Sequence, residues 1–260
     1  LKPGSVVRFG AVSMVAFSAR TEAVRLRFMR LLGFGPTYLL NVEHAAFASI
    51  RRLHVIAHVP PGGFSTLVRV FHDTAPGATW PLYVVDDRIR DDIGAQRAIL
   101  RRARLGTLVV PSEFWPRDAS TISEALVAPT RDLRLILVAP RGRSAETWMG
   151  PALRDLAVSI DVPTLAERGA MEIDRAIHAG ESEYGIPLGL SAPAFSRGEL
   201  ARLTSAKWKG NAEELEETVR RVTRVRVAKS LARAAEMEGI GDDALSHWMK
   251  RHKFPLRTPE

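Results

Sequence analysis

Gly62, Gly63, Phe64 and Ser65 stand at the point in this chain where residue types and order first suggest chemistry. They lie between an apolar run, Leu53–Ala57, and an amphipathic stretch carrying Leu67, Val68, Val70 and Phe71. Strand, glycine turn and helix in that order is where phosphate-binding loops sit, because the N–H groups of the turn can converge on an anion. On the G-x-x-x-x-G-K-S/T frame the first glycine falls on His58, the second on Gly63, the lysine on Phe64 and the hydroxyl on Ser65. Pro60 and Pro61 have no N–H to offer, and Phe64 has no ammonium. Each missing charge-assisted bond is worth about 1.5–3 kcal/mol. The stretch reads either as an ordinary βα turn or as a phosphate loop without its chemistry.

The remaining reactive types form no independent catalytic set. His54 and His58 have zinc-like spacing only on a helix; on a strand the four residues span about 13 Å, too far for one metal. Asp86-Asp87 and Asp91-Asp92 are paired acids or, more simply, a solvated loop and a helix start. Arg101, Arg102 and Arg104 line a helix face open to nucleic acid or only to water. Ser112, Ser120 and Ser123 lack a nucleophile elbow, and His72 has no evident acid partner. With no cysteine in the chain, disulfides, thiolate catalysis and cysteine zinc sites are excluded.

The 260 residues allow one large domain or two modest ones. A hydrophobic content of 46% with 25% charged residues fits a soluble globular protein, and no apolar run is long enough to span a membrane. A cytoplasmic protein of bacterial type is expected, with no secretory signal. Leu1 is not a start methionine, so a piece of a longer chain is expected. The net charge of +8 points to nucleic acid or another polyanion, or to an arginine-rich surface without a ligand.

Elements follow from periodicity. Val6–Phe9 and Val12–Phe17 alternate as a hairpin would. Thr21–Leu32 and Tyr38–Ile50 read as helices. Beyond the Leu53–His72 unit, whose helix Ser65 and Thr66 can cap, Pro81–Val85, Thr107–Val110 and Leu133–Val138 read as strands. Arg88–Arg104 and Ser120–Leu126 read as helices between them. Strands alternating with helices predict an α/β fold with a parallel three-layer sheet. From Ala166 onward the pattern is helical.

Several segments resemble, in order, the AAA+ domain of sigma-54-dependent activators (bacterial enhancer-binding proteins). They are Arg69-Val-Phe-His72 with Trp80-Pro-Leu-Tyr-Val-Val85, then Gly106-Thr-Leu-Val-Val110, Arg134-Leu-Ile-Leu-Val138 and Val162-Pro-Thr-Leu-Ala-Glu-Arg168. The most specific is Trp208-Lys-Gly-Asn-Ala-Glu-Glu-Leu-Glu216, close to the family's W-P-G-N-V-R-E-L-E phrase. The resemblance spans roughly residues 50–221 and implies a P-loop NTPase core with a helical lid. Every catalytic position departs from the family. The Walker A lysine falls on Phe64, and the Walker B Asp-Glu pair on Pro111-Ser112, with Glu113 one residue away. The polar sensor I position falls near Ala139-Pro140, the arginine fingers near Leu153 and Ser159 with Arg154 out of frame, and the sensor II arginine on Glu213. No GAFTGA loop fits between Asp86 and Leu105. Phosphoryl transfer depends on those charges, so the core is expected to be a pseudo-ATPase.

Two flanking segments carry weaker resemblances. LKPGSVVRFGAVSMVAF is similar to the end of a forkhead-associated (FHA) sandwich. Ala234-Ala-Glu-Met-Glu-Gly239-Ile240, Leu245 and Trp248-Met-Lys-Arg-His-Lys-Phe254 resemble a Fis-type helix-turn-helix, with Gly239 at a left-handed turn position and Asp242-Asp243 starting the second helix. The expected organisation is a β-domain tail over 1–19, an α/β core over 20–161, a lid over 162–222 and a helix-turn-helix over 223–260. Gly62, Gly63, Phe64 and Ser65 are the degenerate nucleotide positions. Arg224, Arg226, Lys229, His247, Lys250, Arg251 and Lys253 are the expected DNA contacts. Neither a cofactor nor a metal is expected. DNA is the expected partner, together with a protein such as an AAA+ subunit or an RNA polymerase component, in a homo- or hetero-oligomer. A non-catalytic signalling adaptor and a working ATPase with a rebuilt site are the alternatives.

Overall fold

In the computed structural model, residues 6–9, 12–15, 18–76, 79–127, 133–142, 155–228 and 230–255 are described, the first two segments by their backbone. The alternating start of the chain forms an antiparallel pair, β1 (Val6–Phe9) and β2 (Val12–Val15), with Val6 opposite Val15. The contacts divide the chain into two units. One comprises Leu1–Leu32, Pro36–Pro60 and Phe64–Val162; the other comprises Gly33–Gly35, Pro61–Gly63 and Pro163–Glu260.

The first unit is built on a parallel sheet. Helices α1 (Ala19–Leu32) and α2 (Leu39–Ile50) precede β3 (His54–Val59), and α3 (Ser65–Asp73) follows it. Then come β4 (Leu82–Val84), α4 (Ile93–Arg102), β5 (Thr107–Pro111), α5 (Ser120–Val127), β6 (Arg134–Pro140) and β7 (Ala157–Asp161). All five strands are parallel, in the order β4-β5-β6-β3-β7. This is the α/β class with a parallel sheet that the sequence implied. Period-2 alternation sends Ile56, Leu108, Val110, Leu135 and Leu137 into one buried layer with Ile122 and Leu126 of α5. It sends Val55, Val109 and Ile136, aligned across three strands, to the other face. Arg134 shares that other face and reaches Phe71 of α3, whose ring lies 4.7 Å from that of Phe28 in α1.

Several boundaries differ from the sequence reading. Ser65 and Thr66 do not cap α3: Phe64 holds the N-cap position and makes no side-chain cap bond. The arginine-rich helix starts later than Arg88, because Asp92 takes the N-cap and accepts from Ala95 N–H at 3.0 Å. Asp87–Ile89 is a separate 3-10 turn. Ala157–Asp161, unread as a strand, pairs with β3, because its short Ala-Val-Ser-Ile-Asp run alternates too weakly to stand out.

The second unit is helical. It contains α6 (Leu165–Arg168), α7 (Ala170–Gly185), α8 (Arg197–Ser205), α9 (Asn211–Val227), α10 (Leu231–Glu238) and α11 (Asp242–Arg251). Thr164 with Glu167 and Ser196 with Glu199 form capping boxes that start α6 and α8. Ile173 and Ile177 of α7 and Leu215, Val219 and Val222 of α9 are buried, as the spacing of an apolar stripe requires. Helix α9 runs without a break through positions 222 and 223.

Arg134 is fully buried and no carboxylate is paired with it among the described residues. Its guanidinium donates to the carbonyls of Leu53 at 3.0 Å, Phe71 at 2.6 Å and Ala48 at 3.3 Å. Ala48 and Phe71 lie in the last turns of α2 and α3, where helix dipoles favour a cation. Burial first, and then nearby Arg52, pushes the Arg134 pKa down to about 9. An ammonium cannot fork across three carbonyls as a guanidinium does. Arg134→Lys is therefore expected to destabilise the protein by about 1–3 kcal/mol, read as a lower midpoint in urea denaturation with an unchanged slope.

Candidate functional site

Three places take the residues singled out above. The first is the turn Pro61–Gly63 in the second unit. Gly62 and Gly63 have φ of +119° and +116°, a conformation side chains rarely adopt. A Cβ on Gly62 would lie 2.5 Å from Gly210 Cα and 2.8 Å from the Lys209 carbonyl oxygen, so two backbones touch there. A Cβ on Gly63 would lie 2.4 Å from Glu213 Oε2. Asn211 holds the turn from the side: its Nδ2 donates to the Pro61 carbonyl at 2.6 Å, and its Oδ1 accepts from Leu165 N–H at 3.4 Å. Asn211 itself has φ +49°, and Glu214 accepts from Gly210 N–H at 2.8 Å. The Trp208–Glu216 phrase pointed to this segment. Nothing in the sequence pointed to Asn211 as the residue that ties Pro61 down. Phe64 and Ser65 belong to the first unit, at the start of α3.

The second place is the carboxyl edge of the sheet, where open α/β sheets bind ligands. Pro111 ends β5 and Pro140 ends β6. Beyond them lies a shallow groove of about 510 Å³ lined by Arg90, Ser112, Glu113, Trp115, Arg117 and Ala139 among others. Glu113 is exposed, and Arg117 meets Asp91 at 3.4 Å. At the edge of β7, Asp161 is paired with Arg141 at 3.0 Å. Leu153 and Arg154 lie outside the described residues. His54 and His58 both lie on β3, and His54 Nδ1 accepts from Leu135 N–H at 3.0 Å. His72 Nδ1 lies 3.2 Å from the Thr107 hydroxyl. No group of three or more metal-ligating side chains occurs among the described residues.

The third place is the basic tail. Gly239 at φ +68° turns α10 into α11, and its N–H and that of Ile240 donate back to Glu236 and Ala235. Ala235, Leu245 and Met249 are buried between the two helices, with Phe254 beside them. Several of the tail's arginines are turned inward. The Glu238 side chain, 1% exposed, is met by Arg220 at 3.0 Å, Arg221 at 3.4 Å and Arg224 at 2.6 Å. Burial opposes the charge on Arg220, but its bonds to Glu238 raise its pKa overall. Arg226, 7% exposed, pairs with Glu199 at 3.0 Å and donates to the Pro255 carbonyl at 2.6 Å. Arg224, whose side chain is 25% exposed, and Arg226 thus already hold carboxylate partners, Glu238 and Glu199, within the unit. Lys229 lies outside the described residues. His247, Lys250, Arg251 and Lys253 are exposed. Asp242 and Asp243, also exposed, occupy the first turn of α11. They do not cap it, since Gly241 holds the N-cap position.

No family model matches the sequence, and no curated protein does. Among solved structures, the chain is similar to NtrX from Brucella abortus in complex with ATP, at 16% identity and a TM-score of 0.48, covering 86% of this chain and 69% of that one. The ADP complex of the same protein gives 18% identity and a TM-score of 0.48, covering 89% and 71%. RuvB from Thermotoga maritima, with the substitution T158V, gives 16% and 0.43, covering 82% and 67%. No helix among the described residues is long and apolar enough to cross a membrane.

The Glu238 cluster generates a direct expectation. Glu238→Ala leaves three partly buried guanidinium groups facing one another and is expected to cost about 3 kcal/mol. That cost is measured by urea denaturation and is partly recovered in Glu238→Ala combined with Arg224→Met.

Proposed function

We propose that this protein is a non-catalytic, DNA-associated transcription regulator built on the scaffold of a sigma-54-dependent activator. The observation that carries the proposal is the residue set at the carboxyl ends of β5 and β6. By the sequence resemblance, Pro111, Ser112, Ala139 and Pro140 take the positions of a metal-side carboxylate, a water-activating base and a polar sensor, and they lie at or just beyond the ends of β5 and β6. Glu113, one residue further along the chain than Ser112, is exposed on a groove wall. Phosphoryl transfer depends on fixed charges at those points, so the body serves as an interaction scaffold. It would engage another subunit of its kind or an RNA polymerase component. The β1–β2 pair fits the end of an FHA-like domain, which would bring the input.

The tail would be a helix-turn-helix that holds duplex DNA mainly through Lys250, Arg251 and Lys253, with His247 at its margin. These side chains are exposed at or beyond the carboxyl half of α11, a position suited to phosphates more than to base edges. Asp242 and Asp243 oppose contact at the other end of the same helix. That acidic start favours a second reading, in which the protein is a signalling adaptor and the tail only packs.

Two measurements test these readings. The purified chain is expected to release phosphate from ATP no faster than its Phe64→Ala variant, and turnover clearly above that background refutes the non-catalytic reading. The logarithm of the affinity for a duplex is expected to fall linearly with log salt. The triple variant Lys250→Gln, Arg251→Gln, Lys253→Gln should flatten the slope by about 1 for each cation that had neutralised a phosphate. Duplex binding that is absent, or insensitive to salt, selects the adaptor.

A further inference from the structure

We infer that the Pro61–Gly63 turn is an anion site filled from within, and that its ligand is the carboxylate of Glu213. The inference rests on reading that turn as the remnant of a phosphate loop. Three observations within the second unit support it. Gly62 and Gly63 keep the positive φ that lets a backbone approach an anion closely. Glu213 Oε2 is close enough to Gly63 that a single added methyl carbon would lie 2.4 Å away. The backbone that carries Glu213 is also tied to the turn. Glu213 sits in the first turn of α9, where the helix dipole favours negative charge, and the preceding residues clamp the turn through the Gly62–Gly210 backbone contact and the Asn211–Pro61 hydrogen bond.

A phosphate and this carboxylate cannot share the space beside Gly63, and they repel each other. The aligned family position carries an arginine, which would attract a phosphate; the glutamate supplies the negative charge itself. The turn is therefore held in its glycine-only conformation with no external anion.

Pyrophosphate is the probe, and the thermal midpoint of the full chain is the readout. Wild type is expected to show no shift at millimolar pyrophosphate. Glu213→Ala should gain a shift of roughly 3–5 °C with the probe at about ten times its Kd. Glu213→Gln, which keeps the volume and removes the charge, serves if the alanine variant folds poorly, and should gain a smaller shift. Adding Gly63→Ala to either variant should abolish the gain, which ties it to the turn and not to the surface lysines. A wild type that shifts as much as the Glu213 variants, or variants that do not shift, overturns the inference. ATP turnover by the wild type would instead sink the non-catalytic reading, so the two failures are told apart.

Discussion

A buried guanidinium with no acid paired to it among the described residues fixes the amino end of the sheet. Arg134 opens β6 and gathers the last turns of α2 and α3 and the approach to β3 through carbonyl oxygens alone. A cation withdrawn from water is costly, and here it is met by the negative ends of two helix dipoles together with three hydrogen bonds. The geometry ties β6 and β3, the neighbouring central strands, to the helices on one face. The neighbouring Ser49 hydroxyl bonds both the Phe71 carbonyl and Thr74 and adds to the same buried polar node. With the amino end secured in this way, the carboxyl ends of the strands are where the fold can vary.

At the carboxyl ends of β5 and β6 the charged side chains sit on the groove wall and not on the strand termini themselves. The termini of β5 and β6 carry proline and alanine, and the acids nearby are exposed or paired with arginines. In the second unit acids are instead drawn inward, with Glu213 brought against Gly63 and Glu238 gathering three arginines. A net charge of +8 thus overstates the basic surface that the tail can present. Part of that charge holds helices together, while in the tail Lys250, Arg251 and Lys253 stay exposed at or beyond the end of α11 and Arg233 stays exposed on α10.

Much of the architecture was legible in the sequence. The β-branched runs at residues 53–57, 107–110 and 133–138 announced the central strands, and Gly239 announced the turn between α10 and α11. Weaker signals failed where tertiary context decides. The run 157–161 becomes a strand because β3 offers it an edge, not because its own pattern demands it. The N-cap of α3 passed to Phe64 although two hydroxyl residues follow it. Arg134 was read as part of a strand phrase, and burial of its charge cannot be inferred from spacing. The basic tail was legible as composition but not as surface: glutamates at 199 and 238, distant or unremarked in sequence, decide which arginines face inward. Gly62 and Gly63 were found by type, whereas Asn211 stood inside the Trp208–Glu216 phrase with nothing to announce its bond to Pro61.

In the proposed reading, the core has kept its fold and lost its use of nucleotide. Calorimetric titration of magnesium-ATP into the full chain bears on this without an intermediary. No saturable heat is expected at millimolar nucleotide. A saturable isotherm with one site per chain, abolished on substitution of Ser65, would contradict it.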